Sequence, residues 1–109
     1  MLIAFANMEE QTIPGFLGGD GVFHPRMHVD ENGKIMRARL EPGSSIGLHT
    51  HETSSEMIFI LSGTGKVLYD GNYEPLGPGD CHYCPKGHAH SLINDSEKDL
   101  EFFAVVPNQ

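Results

Sequence analysis

The residues best equipped for chemistry lie in "GLHTHETSSEM" (47–57), where His49 and His51 stand one residue apart and Glu56 follows. In an extended strand two such histidines point to the same side, about 6.6 Å apart along the chain, so both imidazoles can converge on one ion. The polar "ETSS" supplies a turn that lets Glu56 open the next strand, "EMIFIL" (56–61). Glu56 has the parity of Ile58 and Ile60, so it heads a row expected to face the interior. An unpaired carboxylate is costly to bury there, and a cation among two imidazoles and the carboxylate removes that cost. Read alone, the stretch fits either a metal site or the solvated end of a strand. A further ligand is available in "PKGHAHSLIN", where His88 and His90 again sit two apart. Spacing does not choose between them.

Other side chains are weaker candidates. His82, in "CHYC", is a general base or a partner of a ligand if it enters the interior. Alternation does not fix its face, and an exposed or structural role is the expectation. Tyr83 takes the opposite face, so at most one of the pair lines a pocket. Arg37 and Arg39 share a face of "KIMRARL" and, if inward, could grip a substrate carboxylate or phosphate bidentately. With Met36, Ala38 and Leu40 on the other face, the expectation is that both arginines are solvated. His24, Arg26 and His28 share parity in "FHPRMHV", where Pro25 marks an edge strand and exposed polar positions are expected. Cys81 and Cys84 would lie about 10 Å apart on opposite faces of a strand, too far for a disulfide, and are read as two small buried hydrophobes.

The elements that must carry these residues are short strands. Thirteen glycines and seven prolines punctuate segments rich in β-branched, aromatic and aliphatic residues. "GKVLYDGN" carries a hairpin signal, with Gly71 free to take positive φ. "LEFFAVVP" reads as a last strand, and no window shows sustained helical periodicity. Such spacing predicts an all-β antiparallel sandwich or barrel. Residues 1–30 read as an amino-terminal arm with edge strands and 31–109 as the barrel, within one domain. "EMIFIL" is apolar on both faces, so its outer face is expected to meet a second subunit in a homodimer, or to be covered by the arm.

The formal net charge of −8 argues against nucleic acid and against an anionic membrane surface as partners. The amino terminus lacks a basic n-region, and no apolar run approaches the ~18 residues of a membrane span. A soluble cytoplasmic protein that takes a small-molecule ligand or substrate is the expectation.

Two longer patterns then coincide. Gly43, His49, His51, Glu56 and Gly63 fill every position of a motif that resembles the first signature of the cupins. Gly79, Pro85, Gly87, His90 and Asn94 likewise fill a motif similar to the second. The resemblance spans residues 43–94 and implies a jelly-roll β-barrel holding one divalent metal on His49, His51, Glu56 and His90. It thus selects His90 over His88. Three nitrogens and one oxygen suit Mn, Fe, Co, Ni, Cu or Zn. Resemblance to small metal-binding cupins implies an enzyme acting on a small oxygenated metabolite, of dioxygenase, isomerase, decarboxylase or lyase type. Its alternative is a non-catalytic ligand-binding or sensor cupin in which the metal holds the ligand or stabilises the barrel. Gly43, Gly63, Gly79 and Gly87 read as turn positions, Pro85 as a strand end, and Asn94 as a side chain bonded to nearby backbone.

Overall fold

In Gly33–Leu40, Met36, Ala38 and Leu40 are buried and Arg37 and Arg39 lie on the opposite, outer face, so burial follows the alternation of the sequence. The same two-residue period runs through Glu56–Ser62, where Glu56, Ile58 and Ile60 are inside, and through Leu100–Pro107, where Leu100, Phe102 and Ala104 are inside. The computed structural model describes residues 1–109 and contains ten strands: β1 (Ile13–Pro14), β2 (Val22–Asp30), β3 (Gly33–Leu40), β4 (His49–Thr50), β5 (Glu56–Ser62), β6 (Gly65–Tyr69), β7 (Asn72–Leu76), β8 (Cys81–Cys84), β9 (Ala89–Ile93) and β10 (Leu100–Pro107).

All pairings are antiparallel. One sheet has the order β1-β2-β3-β10-β5-β8 and the other the order β4-β9-β6-β7. The two enclose a core that includes Phe23, Leu40, Ile58, Val67, Leu92 and Phe102, giving the all-β jelly-roll architecture. Phe102 lies nearly parallel to Phe23 with centroids 6.3 Å apart, and Phe16 also stacks on Phe23, at 5.0 Å. No helix is long and apolar enough to cross a membrane.

Local sequence explains the corners. Asp70 and Gly71 both have positive φ (47° and 81°) between the paired residues Tyr69 and Asn72. This is the two-residue turn whose twist matches its flanking strands. Asn94 is fully buried, as befits a side chain that replaces backbone partners. Its amide donates to the carbonyls of Leu40 (2.8 Å) and Lys98 (2.7 Å), and its oxygen accepts from the Ser96 N–H (3.0 Å).

The amino-terminal third differs from expectation in detail. β2 runs alongside β3 over its whole length and sends Phe23 into the core, so it is an integral strand of the larger sheet. His24 is buried, not an exposed polar residue. The arm crosses the outer face of the sheet here: His24 bonds to the Gln11 carbonyl (3.1 Å) and to the Glu41 carboxylate. Arg39 pairs with Glu10 (2.8 Å) and Asp99 (3.1 Å), which holds the Glu10 carboxyl below its ordinary range. His28 stays partly exposed beside Asp30 (3.0 Å). Cys84 is buried but Cys81 is exposed, because four residues of strand before Pro85 place them on opposite faces and only the inner face is covered.

Candidate metal centre

Pairing in both sheets assembles the centre. β4 and β9 lie side by side with His49 directly opposite His90. After β4 the chain turns through residues 51–55, and Glu56 becomes the first residue of β5 with its side chain inward. His51 sits in that turn, tied down by its backbone N–H to the His88 carbonyl (3.0 Å). The four side chains that motif spacing singled out, His49, His51, Glu56 and His90, thereby meet as a group able to hold a metal ion. His88 does not join them; its Nδ1 lies 2.8 Å from Asp70 outside the barrel.

The donor atoms converge closely. The Nε2 atoms are separated by 3.2 Å (His49–His51), 3.0 Å (His51–His90) and 3.2 Å (His49–His90). Glu56 Oε1 lies 3.1 Å from His51, 2.9 Å from His90 and 4.0 Å from His49. For metal–ligand bonds of about 2.1 Å, adjoining corners of an octahedron are about 3 Å apart and opposite corners about 4.2 Å. A tetrahedron would make all pairs about equal, near 3.4 Å. The observed set has five short separations, 2.9–3.2 Å, and one long, 4.0 Å between His49 and Glu56, a spread closer to octahedral than to tetrahedral spacing.

Each imidazole is also held from behind. His49 Nδ1 is 2.7 Å from the Gly47 carbonyl, His51 Nδ1 2.8 Å from Ser54 Oγ, and His90 Nδ1 3.0 Å from His82 Nε2. These are the outer contacts a ligating histidine requires to keep its other nitrogen bare. Burial by itself would push the Glu56 carboxyl up, but hydrogen bonds from His51 and His90 outweigh it and draw it down to about 2. Burial holds the His49 imidazole below its ordinary value, which favours the neutral, ligating form. The donor set therefore fits a divalent transition metal.

Beside the ligands opens a cavity of about 410 Å³. Phe16, Phe23, Met27, Met36 and Ile46 give it apolar walls, and Lys34, Thr53, Ser54 and Asn108 supply polar groups. These polar positions carry no motif signature. Lys34 alone had a sequence clue, since it shares the inward parity of Met36.

Of the two roles expected for His82, exposed or structural, the exposed one falls: the residue is 3% exposed and inside the barrel. It shares parity with buried Cys84, and the cross-strand pair His82–Ile58 puts it on the core face of the sheet. Burial and then the neighbouring His90 lower its pKa. Tyr83 accordingly points outward and is 54% exposed. Arg37 and Arg39 lie on the outer face of β3 with acidic partners Glu101, Glu10 and Asp99, so the fold does not bring Tyr83, Arg37 or Arg39 to the cavity. Cys84 is close to His82 and His90, but burial first, and Glu56 and Asp70 after it, push its thiol up to about 11. It stays a protonated thiol, a poor ligand.

Residues 36–106 match the model of the cupin domain family, a span that holds all four ligand candidates. The chain is a cupin. A relative from Thermotoga maritima, named oxalate-binding protein, is 43% identical over 97% of this chain and 93% of its own length. A solved Thermotoga maritima structure described as a predicted oxalate decarboxylase superposes with a TM-score of 0.93 at 30% identity, over the whole of both chains. This cupin also resembles in fold a putative sugar phosphate isomerase from Acidithiobacillus ferrooxidans, with a TM-score of 0.83 at 24% identity over 100% of this chain and 74% of that one.

Proposed function

We propose that His49, His51, Glu56 and His90 hold one divalent transition metal and that this cupin uses it to bind a small carboxylate through two oxygens, with oxalate the leading candidate. The observation that carries the proposal is the pattern of donor separations. An octahedral ion held by these four side chains would keep two positions for the oxygens of a bidentate ligand. The name of the Thermotoga oxalate-binding protein adds support. When bound, the metal supplies Lewis-acid attraction for the two oxygens. The chain's residues do the rest. Lys34 contributes positive charge in a protein of net charge −8, and the apolar walls of Phe23, Met36 and Ile46 exclude water from the bound anion.

Turnover is the second reading, favoured by the similarity to the solved predicted oxalate decarboxylase. Loss of CO₂ requires a proton at the carbon left behind. Apart from His49, His51 and Glu56, the titratable side chain lining the cavity is Lys34, which makes it the candidate donor. Calorimetric titration with oxalate of Mn- and Zn-loaded protein is expected to give one equivalent per bound metal and no heat with metal-free protein. Equal binding with and without metal would contradict the proposal, and formate release would place the protein among the enzymes.

A homodimer is part of the same proposal. Phe59, Leu61 and Tyr83 are exposed on the outer face of the larger sheet, while the arm's Phe5 packs against Phe103 (5.8 Å). Sedimentation should show a dimer that Phe59→Glu dissociates; a monomeric wild type would refute it. The charge balance disfavours nucleic acid, and the free, exposed Cys81 suits a reducing cytoplasm.

A further inference from the structure

We infer that Glu74 and His82 are positioning residues that fix the tautomer of His90 through the hydrogen-bonded chain Glu74–His82–His90. The inference rests on the metal reading above and extends it to two residues outside the ligand set. His82 Nδ1 lies 3.2 Å from Glu74 Oε1, and His82 Nε2 lies 3.0 Å from His90 Nδ1. Glu74 and His90 belong to the smaller sheet, on β7 and β9, whereas His82 reaches across from β8 of the larger sheet. His82 and His90 are both buried, and Tyr69 packs edge-on against the His82 ring at 5.3 Å, which restrains its rotation.

The proton positions follow from what each group can do. An ionised carboxylate only accepts hydrogen bonds, whereas a neutral imidazole has one donor and one acceptor nitrogen. Facing Glu74, His82 must carry its proton on Nδ1, which leaves Nε2 an acceptor. With a metal ion on its Nε2 in place of the hydrogen bond to Glu56 (2.9 Å), His90 would carry its proton on Nδ1 and donate it to His82. Its Nε2, the atom a metal would take, lies among His49, His51 and Glu56.

Glu74 is needed because of the kind of partner His90 has. The Nδ1 of His49 faces a carbonyl, which can only accept, so its tautomer is fixed directly. His90 faces another imidazole, which could equally donate to it and turn the proton onto the ligating nitrogen. The carboxylate at the outer end of the chain breaks that symmetry. Glu74 lies on the exposed part of β7, so the relay runs from the protein surface to the ligand cluster.

The test measures divalent-metal affinity by chelator competition, together with long-range nitrogen–proton NMR of the Zn-loaded protein. In wild type, His82 and His90 should each carry the proton on Nδ1. His82→Phe keeps the ring but removes the acceptor, and its affinity should fall about 10- to 100-fold. His82→Gln, whose amide oxygen can accept from His90, should recover most of that loss, which repacking alone would not do. Glu74→Lys places a donor opposite His82 Nδ1 and should lower affinity without a change in the metal-free melting curve, even if His82→Phe folds poorly. A proton found on His82 Nε2, or wild-type affinity in Glu74→Lys and His82→Phe, would overturn the relay and leave the metal reading standing. Wild-type protein that takes up no metal would overturn both.

Discussion

Replacing His49 and His51 together by alanine is expected to abolish metal retention, from about one divalent ion per chain to none that survives gel filtration. The two supply half of the donor set, and their Nε2 atoms lie 3.2 Å apart at its centre. What remains, Glu56 and His90, is also weakened. Glu56 keeps its carboxyl near 2 through hydrogen bonds from His51 and His90 against the upward push of burial. With His51 gone, burial gains ground and the carboxyl becomes easier to protonate. A folded-state value below the ordinary one stabilises the protein above the ordinary carboxylate range, and that stability is lost as the pH falls toward about 2. The double variant should therefore show a shallower loss of stability in acid than wild-type protein, as well as losing metal. Metal analysis of the two proteins, with acid melts of both, checks the pair of effects; unchanged metal content would refute the ligand assignment.

Phe102→Ala is expected to cost about 3–5 kcal/mol of stability. Phe102 is fully buried in β10, paired with Ala38 on one side and Ile60 on the other, and its ring lies along Phe23. Truncation opens a void that three strands of the larger sheet share, and rigid strands cannot close it. At about 4 °C or more per kcal/mol for a chain of this size, the melting temperature should fall by at least about 12 °C. Phe103 is the internal control. It is the next residue on the same strand but faces outward against Phe5 and Arg37, so Phe103→Ala should cost far less. Denaturant titrations of both variants decide it, and equal costs would contradict the assignment of the core face.

Much of this was legible in the sequence because strands impose a two-residue period. The inward row of β3, the Asp70–Gly71 turn and the inward Glu56 follow from alternation and turn chemistry, and the motif spacing picked out the four residues that meet in the barrel. What alternation could not supply was the face of a strand with no reliable apolar reference. His82 was ambiguous because its strand holds only two cysteines and a tyrosine beside it; the pairing with Ile58, which sequence does not reveal, settles its side. His24 was misread for a different reason. It does point to the outer face, but residues 10–12 of the arm fold back over that face and bury it. The polar lining of the cavity, Thr53, Ser54 and Asn108, was invisible because it comes from turn and terminal segments whose direction no periodicity governs.

The central claim is that His49, His51, Glu56 and His90 bind one metal in an octahedral arrangement with two positions left for a ligand. X-ray absorption of the protein loaded with one equivalent of Mn tests it most directly. The predicted spectrum has the edge shape of six-coordinate Mn and the multiple scattering of three imidazoles, and added oxalate replaces bound water without removing those imidazoles. A spectrum of the hydrated ion alone, or of a four-coordinate site unaltered by oxalate, would contradict the account.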